Sequence, residues 1–124
     1  VQTCAHPIYH HRKLTSNLKL IAEIEKKAIR LYRTSDGKLE QRIPIEGLGK
    51  KDQLVDIKTD ANGEVFLLRS NERQFLLVNR RGQTTRVRWD ESKDGVVYRT
   101  GLSADGRRIA FLTSNETVEM FDIE

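Results

Sequence analysis

Shifted by 45 positions, LIAEIEKKAIRLYRTSDG (Leu20 to Gly37) lies on VFLLRSNERQFLLVNRRG (Val65 to Gly82) without a gap, and this overlay decides the fold. It sets two strand-like halves of one copy on two strand-like halves of the next. Upstream, Asn17 falls on Asn62, and Ile8 to Leu14 fall on Gln53 to Thr59. A further shift of 44 lays VFLLRSNE (Val65 to Glu72) on IAFLTSNE (Ile109 to Glu116), with Ser-Asn-Glu identical at the turn. Two similar spacings in one short chain point to repetition.

A period of about 40–45 residues is the size of one supersecondary unit in a propeller or a solenoid. Each unit holds short runs rich in Ile, Val, Leu, Phe and Tyr, separated by Gly, Asn, Asp or Ser, the pattern of strands joined by tight turns. The first unit is predicted to contain strands at Ile8–Leu14, Leu18–Ile24, Ala28–Arg33 and Leu39–Ile45, with Asp36-Gly37 supplying a positive-φ turn. The second contains Leu54–Thr59, Glu64–Arg69, Gln74–Asn79 and Gln83–Trp89. The third contains Val96–Leu102, Arg107–Thr113 and Thr117–Ile123, and lacks a fourth strand. A helix over Asn17 to Arg33 competes, because KLIAEIEKKAIRLYR has good helix formers and i, i+4 charge partners. The counterpart 45 residues on carries Asn71 and a strand-rich Phe-Leu-Leu-Val, so the repeat favours a hairpin turned near Glu25 to Lys27.

Composition bounds the rest. In 124 residues, 37% are hydrophobic and 32% charged, which fits a folded, surface-rich chain with a thin core. Lys and Arg number 22 against 18 Asp and Glu, and the net charge of +4 permits attraction to phosphate without requiring it. A single cysteine, Cys4, can form no internal disulfide, so a cytoplasmic location is expected. The apolar runs, such as Leu76-Leu77-Val78, fall far short of the roughly 18–20 residues that cross a bilayer, so no membrane partner is expected. The chain opens on valine with no apolar signal core behind it, and reads as a processed product or an excised piece.

The segment LSADGRRIAFLTSNETVEMFDI (Leu102 to Ile123) resembles the central hairpin of the WD-repeat family of β-propellers. It has a Ser-x-Asp-Gly turn, a buried strand, a polar turn and a strand ending in an aromatic residue and Asp. Phe121-Asp122 stands where the family has Trp-Asp. IRLYRTSDGK and FLLVNRRGQ are similar in the earlier copies, with Tyr32-Arg33 and Val78-Asn79 in place of the dipeptide. The dipeptide Trp89-Asp90 follows the fourth strand and falls outside the pattern, and the family's Gly-His pair is absent. The resemblance implies an all-β fold of tandem four-stranded antiparallel blades, here a partial β-propeller of about three blades. They would form one domain over 1–124, as blade 1 (about 5–47), blade 2 (about 48–92) and an incomplete blade 3 (about 93–124). It also implies recognition by loops and blade edges, usually without catalysis. Ring closure takes at least four blades, or about 160–180 residues. The remaining blades of a parent chain, or two or more copies of this one forming a homo-oligomer, would complete the ring.

Cys4, His6, His10 and His11 carry metal-ligand chemistry, but they lack the close-spaced pairs of a structural zinc site. Neighbours on a strand face opposite ways, so His10 and His11 would point apart. No metal and no cofactor is therefore expected. Arg80, Arg81, Arg86 and Arg88, beside Trp89, form the densest basic stretch. They would pair with phosphates while the indole stacks on a base, or they would form a solvated outer strand whose charges discourage aggregation. The sequence has no nucleophile elbow, phosphate-cradling loop, HExxH or paired-carboxylate motif. The expected function is thus a non-catalytic scaffold binding a protein partner through loops and edge strands. Candidate contacts are Arg80, Arg81, Arg86, Arg88, Trp89, Phe121 and Asp122. A nucleic-acid-binding module and an accessory propeller domain of a larger enzyme, such as a hydrolase, are the alternatives.

Overall fold

A computed structural model describes residues 11–123. The chain forms three antiparallel meanders, each a sheet of its own. The first sheet is β1 (Arg12–Leu14), β2 (Leu20–Ile24), β3 (Ala28–Arg33) and β4 (Leu39–Pro44); the second is β5 (Leu54–Thr59), β6 (Val65–Ser70), β7 (Phe75–Asn79) and β8 (Thr84–Val87). After a one-turn helix α1 (Glu91–Asp94), the third sheet is β9 (Val97–Leu102), β10 (Arg108–Thr113) and β11 (Val118–Asp122). Neighbours in sequence are neighbours in space, and the sheets are blades 1, 2 and 3 of a partial propeller. The first strands meet along the inner edge, where β1 touches β5 and β5 touches β9. No helix among the described residues is long and apolar enough to cross a membrane.

The contested segment is a hairpin. Ile24 pairs with Ile29, and the Glu25 N–H donates to the Ala28 carbonyl at 2.9 Å. Alternation explains why: Leu20, Ala22 and Ile24 are buried while Ile21 and Glu23 are half-exposed, a period of two that a helix could not satisfy. Glu23, whose i, i+4 partners on a helix would be Lys19 and Lys27, stands instead opposite Arg30 and Arg12 on the neighbouring strands.

The repeat is real, but its register differs from the ungapped overlay. Paired residues Leu20 and Arg33 stand 13 apart, whereas Val65 and Asn79 stand 14 apart. Beyond the hairpin turn the offset is therefore 46 rather than 45. In blade 3 the turn residue with positive φ is Glu116, matching Arg73, and both have φ of 59°. That is an offset of 43, so the shared Ser-Asn-Glu sits one residue out of structural register. The fourth strand of blade 2 also stops at Val87, short of Trp89. Asp90 instead caps α1 by accepting from the Ser92 N–H at 3.0 Å, and Trp89 turns into the core.

What makes the blades stack is a turn repeated three times between first and second strands. Thr15, Asp60 and Ser103 each turn a side-chain oxygen back on the strand that follows. They accept from the N–H groups of Leu20 (3.2 Å), Val65 (3.0 Å) and Arg108 (2.9 Å). Each turn then has a left-handed residue: Leu18 (φ 64°), Gly63 (φ 73°) and Gly106 (φ 72°). The turns also interlock from blade to blade. A β-carbon on Gly63 would stand 2.9 Å from Leu20 Cδ1, and one on Gly106 would stand 3.2 Å from Val65 Cγ2. Along the same row, Asn17 N–H donates to the Ala61 carbonyl (3.1 Å), and Ala61 N–H to the Ala104 carbonyl (2.9 Å).

Two apolar layers fill the gaps between sheets. Between blades 1 and 2 lie Ala22, Ile24, Leu31 and Ile43 on one side and Ile57, Phe66, Leu68 and Val78 on the other. Between blades 2 and 3, Leu67 and Phe75 meet Val97, Ile109 and Phe111, with Trp89 and Phe121 at the margin. The second layer is aromatic: Phe75 and Phe111 stand 4.6 Å apart, and Trp89 presents edges to Phe111 (5.2 Å) and Phe121 (5.9 Å).

Two outcomes follow from the turns. Leu18 is mostly exposed and in the left-handed region, so Leu18→Gly should stabilise the chain by about 1 kcal/mol, whereas Gly63→Ala should destabilise it by about 1–3 kcal/mol. Urea titrations of the two variants would read these opposite signs. The Asp105 carboxyl is held below its ordinary range by hydrogen bonds from Ser103 and the Arg107 N–H; that of Asp36 is held there by the Lys38 N–H and Arg33. A depressed folded pKa gives stability that is present above the unfolded value near 3.8 and lost as pH falls through the folded one. Urea midpoints should therefore drop on acidification below about pH 4, less steeply in Asp105→Asn.

Candidate functional site

Blade 3 is where the fold is open. The outer edges of β4 and β8 are unpaired too, but β11 is a third strand, and among the described residues no fourth strand pairs with its outer edge as β4 pairs with β3 and β8 with β7. Between this edge and β8 lies a groove of about 820 Å³, walled by Leu77, Val87, Ile109, Phe121 and Ile123, with Arg86, Arg88 and Asp122 among its polar residues. Blade 1 shows how a fourth strand joins the blade that follows it. There β4 sends Ile43 into the core between blades 1 and 2, and Gln41 bonds Arg80 of the next blade.

The outward face of β10 and β11 has an apolar centre, flanked on the same face by the Arg108–Asp122 pair and by Arg99. Ala110 is opposite Met120 and Leu112 opposite Val118, and directly paired residues share a face. Val118 and Met120 are 62% and 59% exposed. Their structural counterparts on blade 2, Phe75 and Leu77, are packed into the layer shared with blade 3. Alternation in Thr-Val-Glu-Met-Phe carries the signal for this surface. It shows that Val118 and Met120 oppose Phe121, but which side is covered depends on the neighbouring blade.

The outward face of blade 1 is charged. Glu23 pairs with Arg12 at 2.6 Å, Glu25 with Arg42 at 3.0 Å, and Glu25 is also in contact with Arg30. A hydrogen bond from Arg42 and the charge of Arg30 hold the Glu25 carboxyl below its ordinary range.

The seven candidate contacts do not form one patch. Arg80 joins blades 1 and 2: its guanidinium donates to Gln41 Oε1 (2.9 Å) and Glu40 Oε2 (2.8 Å), while its carbonyl accepts from Gln41 Nε2 (2.7 Å). Arg81 and Arg86 share a shallow hollow with Glu46 and Gly47. Arg88 is exposed on the groove beside β11. Trp89 donates its indole N–H to the Gly95 carbonyl at 2.7 Å and packs against Phe111 and Phe121, so the ring is already occupied on two sides. Phe121 and Asp122 lie on the groove, with Asp122 paired to Arg108 at 3.0 Å. Cys4, His6 and His10 lie outside the described residues. Among the described residues, no group of three His, Cys, Asp or Glu side chains is placed to hold a metal ion.

No protein-family model matches the chain. No curated protein matches it in sequence either. Among solved structures it is similar to Hsv2 of Kluyvelomyces marxianus, a β-propeller protein, with a TM-score of 0.65 and 14% identity. The match covers 91% of this chain and 42% of that one, so the chain spans less than half the length of the propeller it resembles. At that identity the likeness concerns the fold, and the fold is a run of propeller blades.

Proposed function

We propose that the chain is a non-catalytic interaction scaffold of the WD-repeat-like kind, working in the cytoplasm, that offers the open side of its third blade to a protein partner. The observation that carries this reading is the combination at β11 of a free backbone edge, a face with an apolar centre and an adjoining groove. Contiguous apolar surface and unpaired strand edges are what natural proteins cover, and a protein surface can cover both at once. An added strand would bond the β11 edge through its backbone and seat alternate side chains on Phe121, Val87 and Ile123.

The nucleic-acid alternative draws on the same basic stretch, and its geometry is weaker. Arg80 is engaged by Glu40 and Gln41, and Trp89 is held in the blade 2–blade 3 layer, so Arg81, Arg86 and Arg88 are left as solvent-facing cations without a stacking platform.

A photo-cross-linking amino acid at position 118 should give discrete protein adducts in cells, and the same group at exposed position 39 on β4 should not. A labelled single-stranded oligonucleotide at low salt should show no affinity that Arg86→Ala with Arg88→Ala removes. Tight binding that falls steeply with salt and disappears in that double variant would transfer the function to polynucleotide.

A further inference from the structure

The two ends of this blade stack differ: charged pairs occupy most of the outer face of blade 1, whereas on blade 3 the Arg108–Asp122 pair and Arg99 flank an apolar centre. Strand register places Ile21, Glu23, Arg30 and Tyr32 of blade 1 where blade 2 has Phe66, Leu68, Leu76 and Val78. On blade 2 those four are buried against blade 1. On blade 1 the corresponding face carries the Arg12–Glu23 and Arg42–Glu25 pairs and the contact of Arg30 with Glu25. Its leading turn carries Leu18 where the following turns have Gly63 and Gly106, the residues that fit without a β-carbon against the preceding blade. Both features needed to sit on a preceding blade are therefore missing from blade 1.

Blade 3 keeps the receiving half of the same joint. Its outward residues Ala110, Leu112, Val118 and Met120 stand where blade 2 has Leu67, Arg69, Phe75 and Leu77, the face that receives blade 3. Gly106 rests on Asp60 and Val65; their counterparts one blade on, Ser103 and Arg108, line an open hollow of about 700 Å³. In the row of turn-to-turn hydrogen bonds, Ala61 N–H donates to the Ala104 carbonyl. The Ala104 N–H, next in that row, is exposed and has no partner among the described residues.

We infer that the stack extends in one direction only: the outer face of blade 3 docks an apolar-faced β-blade of another protein, and the outer face of blade 1 is an ion-pair cap that refuses one. This rests on the scaffold reading and names the partner. The incoming blade has an apolar first face, a glycine in its leading turn and a backbone carbonyl for the Ala104 N–H. A second copy of this chain does not meet that description. Its blade 1 would bring Leu18 to the joint and would have to strip water from Arg12, Glu23, Glu25, Arg30 and Arg42. The continuity is with interfaces already present, since the contact repeats from blade 1 to 2 and from 2 to 3. Charged outer faces on terminal repeats serve the same end in other stacked-repeat proteins.

Static light scattering on the 124-residue, 14.3 kDa chain tests this. The native chain alone should keep the mass of one chain across the concentration range. A probe chain carrying Leu18→Gly, Glu23→Leu, Arg30→Leu and Tyr32→Val, the residues of blade 2 at those positions, should associate head to tail. Mixed with the native chain, it should raise the average mass toward two-fold, and Met120→Lys in the native chain should abolish the rise. A folded probe that leaves the mass unchanged overturns the inference. A native dimer undone by Met120→Lys also overturns it, because a second copy would then be the occupant. Should the probe not fold, the single variant Met120→Lys still decides. It should lower the fluorescence of bound 8-anilinonaphthalene-1-sulfonate at least two-fold, and no change would mean that this face is not the open one. The oligonucleotide result tests the scaffold reading separately, because neither the masses nor the dye depend on it.

Discussion

No room exists for a β-carbon at Gly63, because the position it would take is 2.9 Å from Leu20 Cδ1 and 3.2 Å from Thr15 Cγ2. Everything else about the stack depends on that closeness. It sets how near one sheet comes to the next, and so whether Ile57 and Phe66 can reach the apolar face of blade 1. It also brings the backbone of one turn within hydrogen-bond distance of the next, joining Asn17 to Ala61 and Ala61 to Ala104. A sheet with one bare apolar face has little stability alone, and the turn contact lets each sheet become the cover of its neighbour.

The stack therefore behaves as a series of like joints with two unlike ends. A joint needs an apolar face and a tight turn on the arriving blade, and a matching face and hollow on the receiving one. Blades 2 and 3 have the arriving features, blade 1 does not, and all three have the receiving ones. The difference at blade 1 lies in a few side chains: Glu23 in the place of Leu68, Arg30 in the place of Leu76, and Leu18 in the place of Gly63. None of these alters the course of the backbone, because cross-strand ion pairs satisfy the same pairing geometry that apolar neighbours do. The blade fold is thus kept while its outer surface is changed from adhesive to wet.

The blade architecture was legible in the chain because its determinants are local. Period-two burial in Leu20 to Ile24, the glycines of the Asn62-Gly63 and Asp105-Gly106 turns and the recurrence near 45 residues all lie within a few positions of the elements they specify. Register was less legible. The identical Ser-Asn-Glu tempted an offset of 44, but turn geometry follows the left-handed residue, and Arg73 matches Glu116 at 43. Helix α1 escaped notice because four residues, none of them buried, give no periodic signal. Of the expected contacts, Phe121 and Asp122 border the groove, whereas Arg80 and Trp89 serve the joints between blades. The charged face of blade 1 was hidden in plain view. Glu23 and Arg30 are seven residues apart, and only the hairpin sets them opposite each other.

The cap on blade 1 has a consequence for the way the chain is made. Synthesis proceeds at about 5–20 residues per second, so each blade of some 45 residues emerges over about 2–9 s, long compared with the microseconds a hairpin takes to form. Of these three blades, the first to leave the ribosome has an outer face already compatible with water, and only its inner face waits for a neighbour. Each later blade covers the waiting face and presents a new one. Among these three blades, sticky surface is then confined at every moment to the one most recently made, close to the ribosome, while the outer face of the blade made first is the one least able to aggregate.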